Sequence, residues 1–279
     1  MFPEKHEGAI RIASWNVSGL AAAQKKGFNF YVEAEDADIL TLTETKMNGE
    51  SEVPVLDSRY PYRYWSIAGK KGYAGTAVFS KHEPISVTKD LPGHPNEDAI
   101  KGRIVTAEFE KFYLVATYVT NAGQGLKTLP EKELWNEHFT KYIRELDAKK
   151  PVIWAGDLNV APTEKDLTHA KKNWNKSAGY TESETKAFAR ILDPSKDEKQ
   201  DASSSNKFLD LWRELHPDDQ HYTYFGYRFD CRSKGIGWRL DHVVVSERLR
   251  ENVKMCEIRD EIYGASDHCP VVVEIAGLV

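Results

Sequence analysis

Eight short runs rich in β-branched and aromatic residues recur along the chain, and segments with a helical apolar period lie between them. This alternation constrains the fold more than any other feature. The runs cover 10–17, 38–43, 75–79, 103–109, 112–119, 152–155, 240–245 and 271–275. Such residues pack well on a pleated surface, so each run predicts a strand. Glu110-Lys111 joins the fourth and fifth runs, which predicts a hairpin. Thr128 and Glu131 have capping-box spacing with Pro130 in the first turn. Core-facing positions then recur at Leu134, Trp135, His138, Phe139, Tyr142, Ile143 and Leu146, the 3.6-residue period of one buried helix face. Thr181 and Glu184 repeat the box ahead of Phe188, Ile191 and Leu192. Phe208, Leu209, Leu211, Trp212 and Leu215 predict a third helix ended by Pro217, and 27–35 is a candidate fourth.

Strands mixed with helices over the whole length, with a hairpin among them, predict one α/β domain over 1–279. Its expected form is a layered sandwich of mixed sheets covered by helices. Residues 1–8 read as a polar tail. Residues 193–207, with Asp-Ala-Ser-Ser-Ser-Asn, read as a surface loop insertion. No internal repeat stands out.

With 41% hydrophobic and 11% aromatic residues the chain can bury a core. No apolar run approaches the roughly 18 residues of a membrane span, and the N-terminus has no signal-peptide core. Cys231, Cys256 and Cys269 follow no pattern, so a disulfide framework is not expected and an intracellular, reducing compartment is: the nucleus in a eukaryote, the cytoplasm in a prokaryote. No signal for oligomerisation stands out, so a monomer is expected. The formal net charge of −5 counts at first sight against a nucleic-acid partner. Net charge does not say where charges sit, and Lys25-Lys26, Lys70-Lys71, Lys101, Arg103, Lys171-Lys172, Lys176, Arg228, Arg232, Lys234 and Arg239 fall in short basic clusters.

Several predicted strands end in polar groups that a structural strand does not need. Asn16 ends the first, and the second runs into Glu44. Tyr118 and Asn121 stand at the end of the fifth, and Asp157 and Asn159 follow the sixth. Asp241 opens the seventh, and Asp267-His268 precede the last. Loops at one sheet edge carry the chemistry of layered α/β folds. Carboxylates, amides, an imidazole and a phenol brought together there suit a hard divalent cation with oxygen ligands, Mg²⁺ first, together with a general base and a phosphate clamp. Each residue alone has a plainer reading: a surface carboxylate at Glu44, an Asx turn at Asp157, a local cap at Asp267, a core tyrosine at Tyr118. The phosphate loops, zinc spacings and nucleophile elbow of other enzyme classes are absent from the sequence.

Six segments together resemble the exonuclease III class of apurinic/apyrimidinic (AP) endonucleases, within the endonuclease/exonuclease/phosphatase superfamily. They are Ser14-Trp15-Asn16-Val17-Ser18-Gly19-Leu20, Leu42-Thr43-Glu44-Thr45-Lys46, Tyr118-Val119-Thr120-Asn121-Ala122-Gly123, Gly156-Asp157-Leu158-Asn159, Gly237-Trp238-Arg239-Leu240-Asp241 and Ser266-Asp267-His268. The resemblance implies a four-layered α/β sandwich that cuts duplex DNA on the 5′ side of abasic sites with Mg²⁺, for which Mn²⁺ can substitute. The cut leaves a 3′-hydroxyl, and some 3′-phosphodiesterase and 3′–5′ exonuclease activity accompanies it. By the same resemblance Glu44 holds the metal with Asn16 nearby and Asp267 helping. Asp157 orients or deprotonates the attacking water. Asn159 and His268 bind the scissile phosphate, and Asp241 hydrogen-bonds His268. Tyr118 and Asn121 lie near the phosphate or leaving group. Tyr224, Trp238 and Leu240 line a pocket for the extruded sugar, and Arg228 and Lys71 are candidate phosphate contacts. Ser18, Thr43, Thr120 and Gly226 depart from the usual family residues. Two other readings stay open: another phosphodiesterase or phosphatase of the superfamily, and a non-catalytic binder of damaged DNA.

Overall fold

The computed structural model describes residues 2–196 and 207–278. It contains twelve strands among the described residues: β1 (Ala9–Asn16), β2 (Ile39–Thr43), β3 (Tyr62–Ser66), β4 (Thr76–Ser80), β5 (Ser86–Thr88), β6 (Ile104–Glu108), β7 (Tyr113–Tyr118), β8 (Val152–Asp157), β9 (Phe208–Asp210), β10 (Asp241–Ser246), β11 (Val253–Ile258) and β12 (Val271–Ala276). They form two six-stranded sheets, ordered β11-β12-β1-β2-β4-β3 and β5-β6-β7-β8-β10-β9. Each sheet has one parallel pair, β1 with β2 and β7 with β8, flanked by antiparallel pairs. The two sheets thus repeat one pairing pattern, which no sequence repeat announces.

Period-2 alternation sorts the side chains into three cores. Ile10 and Ile12, Leu114 and Ala116, Ile153 and Ala155, Val243 and Val245, and Val271 and Val273 meet between the sheets. Trp15, Leu40, Leu42 and Phe79 face the opposite way, under Phe28, Tyr31 and Val32 of the helix Phe28–Glu35. Val115, Val152, Trp154 and Val244 lie under Trp135, Phe139 and Ile143 of the helix Leu129–Asp147 and under Phe188 and Ile191 of the helix Glu182–Leu192. Helix, sheet, sheet, helix is the expected four-layered α/β sandwich.

Two expectations about local structure are corrected. The box at Thr128 does not form: Thr128 Oγ1 donates instead to the Asn121 carbonyl at 2.7 Å. The box of Thr181 and Glu184 does form. The segment beginning at Phe208 is not helical throughout, because Phe208–Asp210 pairs with β10 as an edge strand and the helix starts at Leu211. The polar N-terminal segment is anchored over its described part. Lys5 pairs with Asp38 at 2.7 Å, and Phe2 packs edge-on against Tyr31. Of the loop expected at 193–207, residues 197–206 lie outside the described residues, and Lys207 pairs with Asp193 at 2.9 Å across them.

Arg239, read from sequence as a basic loop residue, is instead fully buried. Its Nε donates to Asp166 Oδ1 at 2.7 Å, and Nη1 and Nη2 donate to Asp210 at 2.8 and 2.7 Å. Burial alone would push both carboxyls up, yet the guanidinium holds them below their usual range. Their contribution to stability is therefore present above the unfolded value near pH 4 and is lost as pH falls below it. Breaking a buried pair from one side typically costs about 3–5 kcal/mol. Arg239→Met should lower unfolding free energy by that much in a denaturant titration, and a loss under ~1 kcal/mol would show the network to be dispensable.

Candidate active site

Strand direction brings the polar groups to one edge. The parallel pairs β1–β2 and β7–β8 end there, and β10 and β12, antiparallel to their neighbours, begin there. Asn16 shares the inward face of β1 with Ile10 and Ile12, and Asp157 shares that of β8 with Ile153 and Ala155. The two therefore meet across the sheet interface, Asn16 Nδ2 donating to Asp157 Oδ2 at 2.9 Å. Asp241 lies beside Asp157 in the β10–β8 register. By strict alternation Glu44 would follow Leu40 and Leu42 to the helix side. Its φ of 48° ends the extended run, and its Oε1 instead accepts from Asn16 Nδ2 at 3.0 Å. Left-handed backbone at a non-glycine residue is uncommon and clusters at functional sites.

Asn16 spends both N–H bonds on Glu44 and Asp157, and its Oδ1 accepts from the Ser18 backbone at 2.9 Å. Lys46, quoted in a motif above but given no role there, pairs with Glu44 Oε2 at 3.0 Å. His268 Nδ1 is 2.7 Å from Asp241 Oδ2, and Asp241 Oδ1 is buried with no partner. Ser266 accepts from the His268 backbone and donates to the Asn16 carbonyl at 2.6 Å, tying the loop before β12 to the end of β1. Asn159, also left-handed at φ 51°, donates Nδ2–H to the Val119 carbonyl at 2.9 Å and accepts from Asn121 at 2.7 Å.

These contacts set the charges. Burial and the neighbouring Asp241 push the Asp157 carboxyl up to about 7. Burial opposes the His268 imidazolium, but Asp241 outweighs it and raises that group to about 10. Burial also pushes Glu44 upward, and the Asn16 hydrogen bond together with Lys46 and His268 brings it below its usual value. Tyr118 is half-buried, and loss of solvent followed by the charges of Glu44 and Asp157 holds its phenol well above the usual range, so it stays protonated. The Arg103 guanidinium lies 5.1 Å from its ring centroid.

Glu44, Asp157 and His268 bring polar atoms within 4.8 Å of one another; the protonated His268 ring has no free lone pair, so the two carboxylates are the groups that can hold a metal ion. Carboxylate oxygens fixed by Asn16 are what a hard divalent cation takes, so the donor chemistry fits. Asp267 is not one of the three. It is half-buried, its carbonyl accepts from Phe225, and its charge adds to burial in raising Tyr224 and Tyr227.

Tyr224 lies against His268 with ring centroids 4.9 Å apart and bridges to both His268 and Trp238. Trp238 is partly exposed and packs against the Ala161, Leu167 and Tyr180 cluster, and a Cβ on Gly179 would touch both Trp238 and Leu240 at 3.6 Å. Trp238 and Leu240 thus sit beside Gly179 and the Asn159 carbonyl, with Tyr224 bridged to Trp238. Arg228 and Lys71 stand on exposed loops and are not part of this hydrogen-bonded cluster. Sequence reasoning passed over Lys132, whose ammonium reaches the Asn159 carbonyl. Its position on a helix, one turn past the start, gave no signal of that.

A two-sheet sandwich whose edge gathers a hard-cation donor set, a buried imidazolium and side-chain amides defines a phosphoester hydrolase. The Endonuclease/Exonuclease/phosphatase family model matches residues 13–268, and the chain belongs to that family. An exodeoxyribonuclease of Bacillus subtilis is 40% identical over 94% of this chain and 98% of its own length. A DNA repair nuclease of Danio rerio is also 40% identical, over 96% of this chain and 82% of its own. Among solved structures, an AP endonuclease from Archaeoglobus fulgidus superposes with a TM-score of 0.81 at 25% identity, covering 95% of this chain and 99% of its own. No helix among the described residues is long and apolar enough to cross a membrane.

Proposed function

We infer that the chain is an AP endonuclease that hydrolyses the phosphodiester 5′ to an abasic site in duplex DNA and leaves a 3′-hydroxyl. Some 3′-phosphodiesterase and 3′–5′ exonuclease activity belongs to the same site. The observation that carries this reading is the meeting of Asp157, Asn16 and Glu44 with the His268–Asp241 pair, beside Tyr224, Trp238 and Leu240.

Mg²⁺, with Mn²⁺ as a substitute, would be held by Glu44 with Asp157 beside it, Asn16 orienting the carboxylates and Asp267 helping. When bound it offsets charge on the phosphate and leaving oxygens. Asp157, raised toward neutrality, takes a proton from the attacking water. His268 presents Nε2–H to a non-bridging oxygen while Asp241 holds Nδ1. Asn159 supplies a second donor with its remaining N–H, and Asn121 orients it. Protonated Tyr118 donates near the leaving group. Such preorganised donors are worth roughly 3–4 kcal/mol each when charge develops. A single chain supplies every group, and the protein acts as a monomer.

Tyr224, Trp238 and Leu240 give selectivity. Extruding a nucleotide costs least where stacking is already lost, and a wall of these three accepts a bare sugar and rejects a base. Trp238→Ala should lower abasic incision by about tenfold or more in kcat/KM and leave binding to undamaged duplex within about twofold. Equal losses in both would place Trp238 outside the pocket. The reading as a whole is tested by offering the protein duplex with a tetrahydrofuran abasic analogue, the undamaged duplex, and an inositol phosphate. Incision of the first alone is expected, and phosphate release from the third would favour a small-molecule phosphatase.

A further inference from the structure

Lys132 lies one turn into the helix Leu129–Asp147, and its side chain is 2% exposed. Its ammonium donates to the Asn159 carbonyl at 2.5 Å and to Glu184 Oε1 at 2.8 Å. Glu184 is fixed in turn by the Gly179 amide at 3.0 Å, the Thr181 amide at 3.2 Å and the Thr181 hydroxyl at 2.8 Å. A buried ion pair is weak evidence for stability, since apolar side chains of the same volume often serve as well. This one ends on the backbone of a site residue.

Asn159 needs such support. Its φ of 51° is left-handed, a conformation that persists only where the surroundings over-determine it. Its amide donates to Asp157 Oδ1, its Nδ2 to the Val119 carbonyl, and its Oδ1 accepts from Asn121. Those three contacts come from the two strand ends that form the site. The fourth, on the carbonyl, comes from the helical layer. Releasing it frees the peptide after Asn159 to rotate, and the side-chain amide turns with it.

We propose that Lys132 is a positioning residue, its buried ammonium holding the Asn159 backbone so that the Asn159 amide faces the scissile phosphate. This rests on the assignment of Asn159 as a phosphate donor made above. The carbonyl takes no part in the reaction, and Lys132, on the far side of it, touches no substrate.

The test is a kinetic cycle on the abasic-analogue duplex with Lys132→Met, Asn159→Ala, the double variant and Lys132→Arg. Lys132→Met should lower kcat by about 10- to 100-fold with KM within about threefold, because it disturbs a transition-state contact. In the Asn159→Ala background the same change should cost less than about twofold, since residues acting through one another are not additive. Lys132→Arg, which keeps a buried cation with donors for both partners, should recover kcat to within about fivefold of the original. Equal losses on both backgrounds, or no loss, would overturn the proposal and leave the role of Asn159 standing. If Asn159→Ala itself keeps normal kcat, the assignment of Asn159 falls and the proposal falls with it. Should Lys132→Met fail to fold around the uncompensated Glu184, Lys132→Met with Glu184→Gln removes both charges and is read the same way.

Discussion

Asp157→Asn should lower kcat at least about 10²-fold while KM changes little. The amide has the same shape, its oxygen can still accept from Asn16 or from the Asn159 backbone, and the fold around it is retained. It cannot take a proton from water. The same substitution removes one of three carboxylates crowded together with Glu44 and Asp241. Burial and Asp241 push Asp157 up to about 7, so ionising it in the folded state costs stability as pH rises from its unfolded value near 4 through 7. Above pH 7 the variant should therefore melt no lower than the parent. A dead but stable protein is the expected pair of results. Near-normal turnover would remove Asp157 from the role of base, and inactivity accompanied by unfolding would remove the kinetic argument.

His268→Asn should also cost at least about 10²-fold in kcat, with a different stability signature. Here a buried cation leaves, and Asp241, whose other oxygen already has no partner, loses the group 2.7 Å from Oδ2. Stripping one side of a buried pair is destabilising, so this variant should melt lower than the parent. Asp241 raises the imidazolium to about 10 despite burial. A raised value means that the pair's contribution to stability is complete below the unfolded pKa near 6.5 and is lost as pH climbs through 10. Turnover should accordingly show no fall near pH 6.5 from loss of the imidazolium, and its alkaline decline should come much higher. A sharp loss centred on pH 6.5 in the parent, absent in the variant, would show an ordinary histidine.

The eight inner strands of the two sheets coincide with the eight runs legible in the sequence, and the four edge strands β3, β5, β9 and β11 were not legible. The physical reason is burial. An inner strand of this sandwich is covered on both faces, so most of its positions are apolar, as in Val271-Val272-Val273 of β12. An edge strand faces solvent on one side, and Ser86-Val87-Thr88 or Tyr62-Arg63-Tyr64 carries too little apolar pattern to be read. Phe208-Leu209 is also on an edge but is buried, and there the reason differs: its apolar spacing fits a helix as well as a three-residue strand, and only pairing with β10 decides. The repeated order of the two sheets is a property of backbone pairing and leaves no trace in side chains.

The site divides along similar lines. Groups at strand ends could be read because a polar residue closing an apolar run is conspicuous, and strand direction then gathers Asn16, Glu44, Asp157, Asp241 and His268. What could not be read is which of them spend their bonds on one another. Asn16 faces two carboxylates with its N–H groups, and Arg239 lies buried against Asp166 and Asp210 rather than on a basic face. Lys132 is a lysine on a helix until the fold places the Asn159 carbonyl against it.

On the proposed function, this edge cuts DNA beside a missing base. The most direct measurement uses an end-labelled duplex with one tetrahydrofuran lesion, incubated with the protein in Mg²⁺ or in EDTA, with products resolved at single-nucleotide length and offered to a DNA polymerase. A single cut immediately 5′ to the lesion, with an extendable 3′-hydroxyl and no product in EDTA, is the predicted result. An intact duplex in Mg²⁺, or cutting indifferent to the lesion, would contradict it.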